Sequence, residues 1–359
     1  MRSVLVVRLD NIGDVLIAGP AIRAIANSPD VERVSVLCSS AGAAAARLLP
    51  GVSRVYEWNC PWITNPAPPV TPESISSLEQ IINDCRPTDS VILTSYHQSP
   101  LPLALLLRLS GSSRITAAST DYAGSLLDVR LRPGEDFDED QPEPIRALAI
   151  AGAAGFVSAA GDAAQLAVQL PDADLAAAEA IESAEGPYIV VHPGASVPAR
   201  TWPADRHAAV VDELERRGWR VLVTGGAAEM DLTRTVAGQR GLNMGGCTDL
   251  PRLAALISRA RVLVTGNTGP AHLAAAVGTP VVSLFSPVVP AVRWAPYGVP
   301  TVLLGDQSAA CRNSRARECP VPGHPCLTGV TPTEVVDACL SLLETDVNQT
   351  QLLSAVEAP

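Results

Sequence analysis

The stretch from Arg261 to Phe285, RVLVTGNTGPAHLAAAVGTPVVSLF, constrains the fold more than any other part of the chain. The apolar run Val262, Leu263 and Val264 reads as a buried strand. Gly266, Asn267, Thr268 and Gly269 form a polar turn, a helix follows, and Val281, Val282 and Leu284 mark a second buried strand. Pro270 fits the first turn of that helix, where its missing N–H would have no intrahelical partner. Backbone N–H groups around Thr268 and Gly269 then lie at the positive end of the helix dipole, with His272 on the first turn as a further donor. This is the pattern of an anion site. Read alone, it is equally a βαβ unit with a glycine-rich turn.

The first residues carry the argument further. Ser3–Arg8 reads as a parallel-type apolar strand and Leu9–Gly13 as a turn, with a helix from Asp14 to Ala26 that Pro20 should kink or split. Asp10 and Asp14 fall at the carboxyl edge of that strand, where open α/β sheets place their ligands, although an acid at a helix start also serves as a dipole partner or cap. Carboxylates on one half and a phosphate-type helix start on the other suggest an enzyme with a cleft between two domains.

Three segments in this order, RLDNIGDVLIAGPAIRAI from Arg8, HPGASVPARTWP at 192–203 and GNTGPAHLAAAVGTPVVSLFSP at 266–287, resemble the motifs of glycosyltransferase family 9, the ADP-heptose transferases of lipopolysaccharide core assembly. The resemblance implies an α/β GT-B fold: two Rossmann-like domains with parallel sheets facing a central cleft, donor on the C-terminal one and acceptor on the N-terminal one. It implies an inverting glycosyltransferase moving a sugar, heptose from ADP-heptose first of all, to an acceptor hydroxyl of a glycan, glycolipid or small molecule. The alternatives are a GT-B-type nucleotide-sugar epimerase, or a transferase using another NDP-sugar for a glycoconjugate or secondary metabolite. A dehydrogenase is disfavoured, because no GxGxxG follows either leading strand.

By the same resemblance, Asp14 is the catalytic base; Asp10, which projects near the same strand edge, is expected to hold the acceptor or share that task. Arg200 takes the place of a basic residue, often lysine, that neutralises the donor diphosphate. Ser196 belongs to the same turn, Glu229 falls where an acid holds the ribose hydroxyls, and Thr248 borders the adenine. Thr268, Gly269 and His272 complete the donor site. Asn267 departs from the family, in which many members carry Asp before the Thr-Gly, so the contact with the donor sugar is in question while the diphosphate site is not. Arg8, Asn11, Ser95 and His97, the last two within Thr94–Gln98, are the acceptor candidates. Neither cofactor nor metal is implied, since charged and N–H groups can stabilise the leaving ADP.

A chain of 359 residues, 47% hydrophobic, suits two domains with real cores. We expect the N-terminal domain over 1–170, a linker at 171–187, the C-terminal domain over 188–345 and a tail at 346–359. In the first half, strands are expected at Ser3–Arg8, Arg33–Leu37, Val91–Ser95 and Arg114–Ala117, and helices at Asp14–Ala26, Ala41–Leu49, Pro72–Asp84, Leu101–Leu109 and Ala147–Gly161. Trp58–Thr71 is an irregular proline-rich loop, and Gly134–Pro144 reads as a solvated acidic surface loop. The net charge of −11 argues against nucleic-acid binding. No apolar run is long enough for a transmembrane segment, and the strand-like start argues against a cleaved signal peptide. The expected location is cytoplasmic, or peripheral at the inner membrane face.

There is no lysine, which excludes a Walker-A phosphate loop and a pyridoxal Schiff base. Of eight cysteines, Cys311, Cys319 and Cys326 cluster with His324 in sequence, but without the CxxC spacing of a zinc knuckle. A loop of reduced thiols is expected there.

Overall fold

The computed structural model describes residues 1–158, 162 and 164–356, with side chains to residue 344. The chain divides into two compact units, Met1–Gln169 and a second from Leu170 onward.

The first unit runs β1 (Arg2–Arg8), α1 (Ile12–Ile17), α2 (Gly19–Ala26), β2 (Val31–Cys38), α3 (Ala43–Leu48), β3 (Arg54–Glu57), α4 (Pro72–Cys85), β4 (Asp89–Ile92), α5 (Leu101–Leu109), β5 (Arg114–Ala118), β6 (Val129–Leu131) and α6 (Glu143–Ala153). Its strands form one parallel sheet in the order β3-β2-β1-β4-β5-β6. Val4 to Val7 of β1 are buried throughout, as a strand covered on both faces requires. The expected helix from Asp14 to Ala26 is two helices, because Pro20 sits in the first turn of α2 and the chain breaks at Ala18. Thr71 and Ser74 form a reciprocal cap that starts α4 immediately after the proline-rich loop.

The second unit runs α7 (Asp172–Glu185), β7 (Tyr188–His192), α8 (Ala204–Arg216), β8 (Arg220–Val223), α9 (Met230–Ala237), β9 (Leu242–Asn243), α10 (Leu250–Arg259), β10 (Leu263–Gly266), α11 (Gly269–Val277), β11 (Val281–Leu284), α12 (Ala291–Trp294), β12 (Thr301–Leu304), α13 (Pro325–Thr328) and α14 (Pro332–Val356). Its sheet is also parallel, in the order β12-β11-β10-β7-β8-β9. Renumbered from its own first strand, it repeats the order of the first sheet. In each sheet the order reverses between the first and fourth strands, β1 and β4 or β7 and β10. A crevice opens at the carboxyl ends of such a pair, because the two crossover connections leave in opposite directions.

Several expectations change. The supposed linker at 171–187 holds α7, which packs against α10 and so opens the second unit. The backbone of the supposed tail is helical to Val356, and 357–359 lie outside the described residues. The helix expected at Ala147–Gly161 is α6, four residues earlier at its start; residues 159–161 are not described. The acidic stretch Gly134–Pro144 is not wholly solvated: Glu143 and Pro144 begin α6 and are buried.

Candidate active site

In the first unit, β1 delivers Arg8 to the reversal point and the following turn brings Asp10 and Asp14 beside it. Arg8 is 3% exposed. Its Nη2 donates to Asp14 Oδ1 at 2.8 Å and to Ser95 Oγ at 3.0 Å, while its Nε lies 3.1 Å from Asp10 Oδ2. Gln98 Nε2 donates to the other Asp10 oxygen at 2.6 Å, and Gln98 Oε1 accepts the Ser95 N–H at 3.2 Å. Ser95 and Gln98 come from the turn after β4, so the cluster spans both strands of the reversal point.

The electrostatics separate the two acids. Burial pushes the Asp10 carboxyl up to about 6; Arg8 and Gln98 pull it down, and the neighbouring Asp14 and Glu143 push it up again. Burial disfavours the Arg8 cation, but Asp10, Asp14 and Glu143 together outweigh that cost and hold it charged well above its ordinary range. Both Asp10 oxygens are engaged. Asp14 is the more open carboxylate, on the first turn of α1 with its side chain 22% exposed.

Two acceptor candidates therefore change character. Arg8 and Ser95 are buried, and the Arg8 guanidinium is spent on carboxylates, Ser95 and the Leu93 carbonyl. They hold the acids in place. Asn11, the exposed cap residue of α1, and exposed His97 remain at the surface of this edge.

In the second unit the donor candidates gather at the corresponding edge. β7 ends at His192, whose buried ring meets Thr224 Oγ1 at 3.1 Å through Nδ1 and is pushed down by burial. The turn beyond it carries Gly194 and exposed Ser196. A Cβ on Gly194 would sit 1.9 Å from Glu229 Oε1, so the Glu229 carboxylate lies against this turn. Its Oε2 also accepts the Gly226 N–H at 2.7 Å.

Arg200 closes a short 3-10 turn, Pro198–Arg200, and donates from Nη1 to the Asn267 carbonyl at 3.3 Å. A Cβ on Gly266 would come 2.9 Å from the Arg200 carbonyl oxygen, so only glycine lets the two turns approach so closely. The Asn267 side chain faces its neighbour strand: Nδ2 donates to the Ser286 carbonyl and Oδ1 accepts the Ser286 N–H, both at 3.3 Å. Its amide fastens β10 to the end of β11.

Thr268 caps α11 through its backbone, and its own N–H donates to the Gly266 carbonyl at 2.9 Å. That amide is not offered to an anion as the sequence suggested. Gly269 starts the helix and His272 lies buried on its first turn. Half-buried Thr248 directly precedes Asp249, the side-chain cap of α10.

The cysteine loop backs this turn. The Arg317 carbonyl accepts the Ala199 N–H at 2.8 Å, and His324 Nε2 lies 3.1 Å from the Ala199 carbonyl. Cys311 and Cys326 are buried, and burial beside its fellow thiols pushes Cys326 up to about 11. Among the described residues no group of three or more His, Cys, Asp or Glu is arranged to hold a metal ion.

Residues missed at the sequence level are Glu143, the buried carboxylate acting on Arg8, and Arg146, whose Nη1 donates to the Thr94 carbonyl at 2.7 Å. Both come from α6, and only tertiary packing brings them to the β1–β4 edge.

Residues 142–324 match the family model described as glycosyltransferase family 9 (heptosyltransferase). The chain belongs to glycosyltransferase family 9. It is 35% identical over 116 residues to lipopolysaccharide heptosyltransferase 3 of Escherichia coli strain K12, an alignment covering 31% of this chain and 33% of that protein. The chain thus spans about a third of the length of the curated relatives it matches. Its fold is that of the glycosyl transferase family 9 protein from Veillonella parvula, with a TM-score of 0.76 at 17% identity over 96% of this chain and 98% of that one. The E. coli ADP-heptose lps heptosyltransferase II structure gives 0.72 at 20% identity, covering 96% and 99%. The two-unit α/β architecture is therefore of the GT-B class. Among the described residues no helix is long and apolar enough to cross a membrane.

Proposed function

We propose that this family 9 chain is an inverting glycosyltransferase that moves heptose from ADP-heptose to an acceptor hydroxyl. The observation that carries the reading is the difference between two like sheets: one reversal point bears paired carboxylates on a buried arginine, the other an arginine and a helix start behind a glycine turn. The donor assignment is supported by the relatives named above, one of which is described as an ADP-heptose enzyme.

Asp14 takes the acceptor proton as the acceptor oxygen attacks the anomeric carbon. The bond from that carbon to the diphosphate oxygen breaks on the opposite side, which inverts the configuration. Negative charge gathers on the departing ADP, where Arg200, the Gly269 N–H at the start of α11 and His272 stabilise it. Glu229 takes the ribose hydroxyls, with Ser196 and Thr248 lining the nucleotide. Asp10, fixed by Arg8 and Gln98, keeps Asp14 in an environment of set charge and contributes to acceptor binding with Asn11 and His97. No metal enters these steps, and the reaction is assigned to the cytoplasm.

The test is a thermal-shift panel of ADP-, GDP-, UDP- and dTDP-sugars, followed by mass spectrometry of the products. ADP-heptose should stabilise the protein most, remain intact without acceptor, and turn over equally with a chelator present. Conversion of the donor sugar in the absence of acceptor would mean epimerisation instead.

A further inference from the structure

Gln98 closes a circuit of polar contacts around the two acids. Its Nε2 donates to Asp10 Oδ1 at 2.6 Å and its Oε1 accepts the Ser95 N–H at 3.2 Å, while the Ser95 carbonyl accepts the Gln98 N–H at 2.9 Å. Ser95 Oγ in turn accepts from Arg8 Nη2 at 3.0 Å, and Arg8 Nε faces Asp10 Oδ2 at 3.1 Å. One turn after β4 thus grips the acid with one residue and the guanidinium with another. The Gln98 amide fits only one way round: flipped, its oxygen would meet a carboxylate and its NH2 group the Ser95 N–H.

The contacts on Asp10 are unequal in kind. Arg8 Nε and Asp10 Oδ2 attract each other as an ion pair, but neither atom is aligned for a hydrogen bond. The directional bond on this carboxylate comes from Gln98. Asp14 bonds to the same guanidinium, 2.8 Å from Nη2. With Asp10 ionised, Arg8 is shared between two carboxylates. With Asp10 neutral, Arg8 pairs with Asp14 alone, and a carboxylate that has a cation to itself takes a proton less readily. Burial favours the neutral form of Asp10, and Arg8 and Gln98 oppose it.

Further charges face Asp10 from the surrounding elements. Glu143 of α6 acts on it in the same sense as Asp14. Arg146, also of α6, donates to the Thr94 carbonyl at 2.7 Å and faces Glu139 at 3.6 Å. Burial, with a smaller contribution from Asp10, holds the Cys60 thiol of the proline-rich loop protonated well above its ordinary range. His97, in Gln98's own turn, is exposed, with its ring edge-on to Tyr96 at 5.4 Å.

We propose that Gln98 is a positioning residue for the Asp14 base: through Asp10 it fixes how Arg8 divides its charge between the two carboxylates. The assignment rests on the glycosyltransferase reading, in which Asp14 takes the acceptor proton, and adds a residue that acts on that step through two others.

The experiment is an NMR titration of the full chain, isotope-labelled at the aspartate Cγ, from about pH 4 to about pH 9. Asp10→Asn and Asp14→Asn each remove one carboxylate signal and so assign the pair. In the parent chain the Asp14 signal should shift in a separate step as Asp10 ionises. Gln98→Met, close in shape but without the donor, should move the Asp10 midpoint up by about one pH unit, tenfold in proton affinity. The coupled step in the Asp14 signal should move with it. Gln98→Glu sets a carboxylate against Asp10 and should move the midpoint further; it carries the test should Gln98→Met fold poorly. In the Asp10→Asn background, Gln98→Met should leave the Asp14 signal where it is. An Asp10 midpoint unmoved or lowered in a variant that melts cooperatively, or an Asp14 signal blind to the ionisation of Asp10, would each overturn the assignment. Failure of ADP to stabilise the parent chain, or full turnover by Asp14→Asn, would instead sink the transferase reading, so the two failures are distinguishable.

Discussion

Arg8 shows how much one side chain settles here. Its guanidinium is buried among Asp10, Asp14 and Glu143, so removing it leaves carboxylates without their cation in a low-dielectric site. Arg8→Ala should destabilise the first unit by about 3–5 kcal/mol, read by chemical denaturation; a loss below about 1 kcal/mol would show the acids to be solvated after all. Asp14→Asn keeps the shape and removes the base. Turnover should fall on the order of 10²–10⁴-fold with ADP affinity retained, and undiminished turnover would exclude Asp14 as the proton acceptor. Asp10 makes a pH prediction. Its folded value, about 6, lies above the ordinary 3.8, so the fold binds this proton more tightly than the unfolded chain does. The stability it contributes is complete below the ordinary value and is lost as pH rises through about 6. Comparing Tm for Asp10→Asn and the parent chain, the variant should fare relatively better at pH 7.5 than at pH 5. A gap that stays constant, or moves the other way, would contradict the buried-acid picture.

At the scale of elements, the second site depends on glycines that let turns touch. Gly266→Val would force β10 and the Arg200 turn apart, since even a Cβ lies 2.9 Å from the Arg200 carbonyl. ADP affinity should drop at least about tenfold, the value of one charge-assisted hydrogen bond lost from register, measured by calorimetry on a variant that still melts cooperatively. The same elements show what was legible in sequence. The apolar strands β1, β2, β10 and β11 and the split at Pro20 could be read directly, because buried apolar runs and a missing N–H leave local signatures. β3 and β6 could not: RVYE and VRL are short edge or outer strands with charged residues, and lack a continuous apolar run. The site splits along the same line. Asp10, Asp14, Arg200 and the α11 start stand in local motifs. Glu143 and Arg146 have no local signature, since both reach the edge through the packing of α6. The Thr268 amide was misjudged because a turn can satisfy its own donor before any ligand does.

Over the whole molecule, one strand order is used twice and loaded with opposite charge. β1 and β4 gather acids around a captive arginine; β7 and β10 gather an arginine, a helix start and a carboxylate suited to hydroxyls. Each unit has its own core, one centred on Leu5, Leu37 and Ile92, the other on Val191, Val223 and Val264. A ligand held by one unit should therefore stabilise that unit through its own opening equilibrium. With ADP at 100 times its Kd the gain is about 2.7 kcal/mol. Hydrogen exchange followed by mass spectrometry should show this as slowed exchange in peptides covering 188–200, 220–229 and 263–277. Peptides of β1, β4 and the Asp10–Asp14 turn should change little with ADP alone. Protection concentrated in 1–169 would place the nucleotide on the carboxylate edge, where four acids oppose a diphosphate, and the division of labour between the two sheets would have to be reversed.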